Sequence, residues 1–202
     1  NLVDSTLFRV NVQNGVCASI FSDEIMINVN KKPSVDFTFD TVCLGLSTSF
    51  INNSIANNGT NTNFLWDFGD GSGSVVSNSL YAYSSSGTFS VKLTVTNSLT
   101  CIDSIRYNIE VSALPIVQFQ QFDVCDSIPM VFQNQSYTSS GIISQNIWNF
   151  GDGQGLFYPT DTTYLYNQNG TYNVTLTIIS SDACVDSLIK QVEVFPRAII
   201  DF

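Results

Sequence analysis

The stretch "TFSVKLTVTN" at 88–97 places Phe89, Val91, Leu93 and Val95 on one side and Ser90, Lys92, Thr94 and Thr96 on the other. A period of two is the mark of a half-buried antiparallel strand. "TYNVTLTIIS" at 171–180 repeats the pattern with Tyr172, Val174, Leu176 and Ile178. "SIRYNIEVS" at 104–112 carries it through Ile105, Tyr107, Ile109 and Val111, and "SVDFTFD" at 34–40 predicts a short opening strand. No segment shows a helical period. Short strands broken by Ser, Asn, Thr and Gly clusters predict an all-β chain built as two-sheet sandwiches.

The pattern occurs twice. Trp66 and Trp148, Pro33 and Pro115, and Cys43 and Cys125 are each 82 residues apart. Tyr83 and Tyr166, Gly87 and Gly170, and Cys101 and Cys184 are each 83 apart, which places one inserted residue between Gly153 and Tyr164. Internal repetition of this kind marks an array of like units. The predicted division is residues 33–113 and 114–195 as two full repeats. Residues 1–32, where "FRVNVQNGVCASI" resembles "VKLTVTNSLTCIDSI", are expected to be the tail of a preceding repeat. Residues 196–202 are expected to begin a following one, within a longer parent chain.

Each repeat holds one phrase, "WDFGDG" at Trp66–Gly71 and "WNFGDG" at Trp148–Gly153. It is followed by a Tyr (Tyr83, Tyr166) and a G-x-aromatic-x-V-x-L strand. This combination resembles the PKD domain, the immunoglobulin-like repeat of polycystins and many bacterial surface proteins. The resemblance implies tandem immunoglobulin-like β-sandwiches in a linear array. Trp66, Phe68, Trp148 and Phe150, two apart in each pair, are expected in the core. Gly69, Gly71, Gly151 and Gly153 supply positive φ, and Asp70 and Asp152 bond turn backbone. The competing reading is calcium, with Asp67, Asp70 and Asp152 as oxygen ligands. The chain lacks a spaced D-x-D-x-D-G run and has Asn149 where the first copy has Asp67. The turn is therefore favoured, and no cofactor is expected.

Five cysteines at repeat-related positions predict a disulfide framework in an exported protein. The expected pairs are Cys43–Cys101 and Cys125–Cys184, with Cys17 joined to a residue of the parent chain upstream of these 202. Cys17–Cys43 with Cys101–Cys125, and free thiols, are the alternatives. Acidic-hydroxyl triplets similar to the O-glycosylation signal of Bacteroidetes bacteria make Ser5, Thr41, Ser104, Ser127, Thr162 and Ser187 candidate O-glycosylation sites. N-x-S/T sequons stand at Asn52, Asn58, Asn134, Asn169 and Asn173.

Composition removes several functions. There are 17 acidic residues against seven basic ones, so phosphate backbones and anionic membranes are unfavourable partners. No apolar run suits membrane insertion. The chain has no histidine, which rules out Ser-His-Asp, Cys-His and His-zinc centres. The resemblance implies a non-catalytic stalk or adhesion segment of a large extracellular cell-surface protein. The corresponding group is the type IX-secreted, gliding-motility adhesins of Bacteroidetes. Its partners would be neighbouring repeats, surface polysaccharide or other surface proteins. The alternative is a polymer-binding or spacer module of a secreted hydrolase, with Tyr81, Phe157 and Tyr158 as the aromatics outside the core pattern.

Overall fold

The computed structural model describes residues 2–154 and 159–198, and every regular element among them is a β-strand. None is a helix that could cross a membrane. Strands β1 (Thr6–Phe8), β2 (Asn11–Val12), β3 (Ile20–Phe21) and β4 (Ile25–Ile27) form two antiparallel ribbons, β1 with β4 and β2 with β3. Leu7, Phe8, Val12, Ile20, Phe21 and Met26 are exposed on them.

Eight strands follow: β5 (Phe37–Phe39), β6 (Val42–Cys43), β7 (Ser47–Asn52), β8 (Asn61–Asp67), β9 (Gly73–Ser74), β10 (Ser79–Ala82), β11 (Gly87–Asn97) and β12 (Ile102–Ser112). They make a three-stranded sheet, β10-β7-β5, and a five-stranded sheet, β6-β12-β11-β8-β9. The last seven are β13 (Phe119–Gln121), β14 (Val124–Cys125), β15 (Met130–Asn134), β16 (Ile143–Asn149), β17 (Thr162–Tyr164), β18 (Gly170–Ser180) and β19 (Val185–Phe195). Their sheets are β13-β15-β17 and β14-β19-β18-β16. The two sets repeat each other in order and in register: Leu93 lies opposite Trp66, and Leu176 opposite Trp148.

The alternation places its apolar set inside. Val91, Leu93 and Val95, and likewise Val174, Leu176 and Ile178, are fully buried, while the intervening residues are partly exposed. In the second repeat they pack with Phe119, Met130, Phe132, Trp148, Phe150, Tyr166, Val192 and Val194. Burial of such side chains stabilises by about 1.5–3 kcal/mol each, and it drives the two sheets face to face.

The chain divides into two compact units. One comprises Asn1–Phe39, Phe50–Ser79 and Ser90–Tyr107; the other comprises Asp40–Ser49, Leu80–Phe89 and Asn108–Phe202.

Candidate functional site

The repeated phrase is a turn packed on the core. Trp66 and Phe68 are each 1% exposed, as is Phe150, and Trp148 is fully buried. Phe37 meets the Trp66 ring edge-on at 5.0 Å, and Phe119 meets Trp148 at 5.1 Å in the same way. Burying an indole requires an acceptor for its N–H. Trp66 Nε1–H donates to the Val76 carbonyl (2.9 Å), and Trp148 Nε1–H to that of Pro159 (3.1 Å).

The substitution of Asn149 for Asp67 now has a physical account. The Gly69 N–H donates to Asp67 Oδ1 at 3.0 Å, and the Gly151 N–H donates to Asn149 Oδ1 at 3.0 Å. The position needs a short side chain with one carbonyl-type oxygen, not a charge. One step on, Asp70 Oδ1 accepts from the Ser72 N–H (2.9 Å), and Asp152 Oδ1 accepts from the Gln154 N–H (3.1 Å). Asp152 Oδ2 accepts the Tyr164 hydroxyl at 2.6 Å, so both oxygens of that carboxylate are engaged. Among the described residues no three His, Cys, Asp or Glu side chains converge as metal ligands. Asp67, Asp70 and Asp152 each accept a backbone N–H of their turn.

Gly69 and Gly151 are required twice over. Their φ values are 84° and 79°, and a Cβ would lie 2.8 Å from Ser90 backbone or 2.5 Å from the Asn173 carbonyl oxygen. Gly71 and Gly153, at φ 93° and 84°, complete the turn.

A tyrosine network braces the second copy, and the sequence reading did not foresee its bonds. The Tyr166 hydroxyl donates to the Phe150 carbonyl (3.0 Å), and its ring stacks on Tyr172 at 4.0 Å. Tyr164 stacks on Phe150, also at 4.0 Å. Burial and then the bond to Asp152 hold the Tyr164 phenol well above the usual tyrosine value. Burial and the Asp152 charge do the same for Tyr166. Tyr107 is raised by its hydrogen bond to Asp36 (2.8 Å). Of the three aromatics outside the core pattern, Tyr81 is half-buried and edge-on to Tyr83 at 4.9 Å. Phe157 and Tyr158 lie outside the described residues.

The cysteines depart from the expected pairing. Cys43 is bonded to Cys184, 141 residues later, with 5.5 Å between the Cα atoms. Cys17, Cys101 and Cys125 are free, so neither Cys43–Cys101 nor Cys125–Cys184 is formed. The reason is strand length. Cys125 lies beside Phe195 at the end of β19, whereas Cys184 directly precedes its start. Ten residues of strand separate those ends by roughly 33 Å, while a disulfide needs Cα atoms within about 7 Å. Cys101 and Cys43 flank β12 in the same order.

The hydroxyl triplets lie on the surface: Ser5, Thr41, Ser104, Ser127 and Ser187 are exposed, and Thr162 is half-buried. In two of them the serine N–H donates to the aspartate before it, Ser104 to Asp103 (2.9 Å) and Ser187 to Asp186 (2.8 Å). Of the sequon asparagines, Asn169 and Asn173 are exposed, and Asn52, Asn58 and Asn134 are half-buried.

These features define a tandem of immunoglobulin-like β-sandwiches whose shared motif serves folding. The chain belongs to the PKD domain family, matched over residues 30–111 and again over 112–194. It is similar to the PKD1 domain of Vibrio anguillarum Epp, 30% identical over 41% of this chain and 96% of that one, TM-score 0.39. It is also similar to the PKD1 domain from the Vibrio cholerae metalloprotease PrtV, 32% identical over 40% and 98%, TM-score 0.38. A third likeness is to Clostridium thermocellum CbhA fibronectin(III)-like modules, 12% identical over 80% and 95%, TM-score 0.39. The disulfide is consistent with an exported protein.

Proposed function

We propose that the chain is a non-catalytic stalk segment of an exported cell-surface protein, projecting a binding region for surface adhesion. The observation that carries this reading is the fate of the repeated motif. Its aromatics fill the core, its acids bond turn backbone, and the copies are joined by Cys43–Cys184. The side chains that looked like chemistry are used for rigidity. The exposed acidic-hydroxyl triplets support an extracellular, glycosylated surface of the kind used by type IX-secreted gliding adhesins. The net charge of −10 would keep neighbouring stalks apart and soluble. Neighbouring repeats are its first partners, with surface polysaccharide or other surface proteins at the region it projects.

Antibodies raised against the folded chain test this on the source cells. The reading requires labelling of intact cells and loss of attachment when the gene is deleted. Recovery of the repeats only in the medium, fused to a hydrolase and sedimenting with its insoluble polymer, would replace it with the spacer or polymer-binding reading.

A further inference from the structure

Cys43 and Cys184 hold two different positions of the repeat unit. Cys43 is at the trailing end: β6 runs parallel beside the end of β12, and the Leu44 N–H donates to the Ser112 carbonyl (2.8 Å), where the chain leaves the repeat. Cys184 is at the leading end of the next. The chain enters there with the Ala113 N–H on Ser140 Oγ (3.1 Å). The adjoining Ile142 carbonyl accepts from Ser181 (2.8 Å), in the turn that carries Cys184.

Each free cysteine of the two full repeats is a copy of one of these positions. Cys125 repeats the trailing one. The Asp126 N–H donates to the Phe195 carbonyl (2.8 Å), as Leu44 does to Ser112. The Ile128 N–H donates to the Cys125 carbonyl (3.2 Å), as Leu46 does to Cys43 (3.0 Å). Ser127 takes φ 60° where Gly45 takes 90°. Cys101 repeats the leading one. The Asn97 N–H donates to the Cys101 carbonyl (3.0 Å), as Ser180 does to Cys184 (2.9 Å). The Cys101 N–H donates to Asn97 Oδ1 (3.0 Å), as Cys184 does to Ser180 Oγ (3.2 Å). Thr100 and Ala183 before them share φ values of 62° and 60°.

The surroundings match as well. Leu44, Leu46, Leu114, Ala183 and Val185 line an apolar hollow at the Cys43–Cys184 bond. The residues at the Leu46 and Val185 positions beside the free thiols are Ile128 and Ile102, both exposed.

We propose that Cys125 and Cys101 are latch positions for other PKD repeats. The trailing-end cysteine of each repeat bonds the leading-end cysteine of the repeat that follows it, as Cys43 bonds Cys184. The occupant is therefore a further repeat of this type docked head to tail. Cys17, 84 residues before Cys101, is a leading-end cysteine by sequence. The bond forms by exchange with a disulfide oxidant such as oxidised glutathione. One cysteine thiolate attacks the oxidant, forms a mixed disulfide and expels a first glutathione thiolate. The second cysteine thiolate then attacks the mixed disulfide at the first cysteine's sulfur and expels the second. The S–S bond of the oxidant is thereby reduced to two thiols, and the two cysteine protons end on them or in solvent.

The inference stands on the tandem architecture and not on adhesion; the same bonds would form in the spacer of a hydrolase. The test is to oxidise the full 202-residue chain in glutathione buffer at rising protein concentration, alkylate, digest without reduction and identify the linked peptides. The proposal predicts Cys43–Cys184 in the monomer and oligomers joined from Cys125 to Cys101 or Cys17. Cys125→Ser, or alkylation of Cys125 on the folded protein, should reduce those oligomers more than tenfold and leave Cys43–Cys184 intact. Cys125–Cys125 links, within-repeat Cys43–Cys101 or Cys125–Cys184 links, or monomers in which Cys125 stays free would each overturn it.

Discussion

At position 67 a carboxylate and at position 149 a carboxamide accept the same backbone N–H, so this pair is a natural substitution experiment. Asp67→Asn should leave urea stability within about 0.5 kcal/mol of the parent, since a surface change that preserves the bond falls in that range. Asp67→Ala should lose about 1 kcal/mol, the usual net value of one hydrogen bond. If Asp67→Asn instead destabilised strongly and calcium stabilised only the parent, the turn account would fail. Gly151→Ala should cost roughly 3 kcal/mol, from left-handed backbone strain and a Cβ forced onto the Asn173 carbonyl. Thermal melts would show it, and a shift of a degree or less would contradict the close approach. The tyrosines make a pH prediction. Tyr164 and Tyr166 have folded pKa values raised above the unfolded value of about 10. Their contribution to stability is complete below that pH and falls as pH rises beyond it. Absorbance at tyrosinate wavelengths should show them ionising together with unfolding, after the exposed tyrosines. Early titration of all eight tyrosines in the folded protein would contradict the burial.

At the scale of the element, the long strands were legible because alternation is a local signal. Phe89 through Val95 and Tyr172 through Ile178 show their inner face in the sequence alone. The motif's split into core aromatics and turn acids was legible for the same reason, since each role depends on residues two or three positions away. The cysteine pairing was not legible. It depends on β6 and β14, two-residue strands with no sequence signature, which run parallel beside the ends of β12 and β19. That pairing sends Cys43 and Cys125 to the end of the repeat away from Cys101 and Cys184. The Tyr164–Asp152 and Tyr166–Phe150 bonds were hidden likewise, because they join residues twelve or more apart across turns. Closing a 141-residue loop should stabilise by about 5 kcal/mol through loop-closure entropy. Reduction, or Cys184→Ser, should lower the denaturant midpoint accordingly, and an unchanged midpoint would show that the bond adds nothing to the fold.

At the scale of the molecule, the proposed stalk would have to transmit force, and the disulfide decides which residues can be stretched. While Cys43–Cys184 is intact, the residues between these two cysteines, a sequence separation of 141, cannot lengthen the chain even when unfolded. The most direct measurement is single-molecule stretching of the full chain between its termini, with reductant added during the pull. The account predicts one reductant-dependent step of roughly 490 Å, the extended length of those residues at ~3.5 Å each. Two steps of roughly 200 Å, the length of the two within-repeat loops, or no dependence on reductant, would contradict a stalk whose repeats are latched to one another.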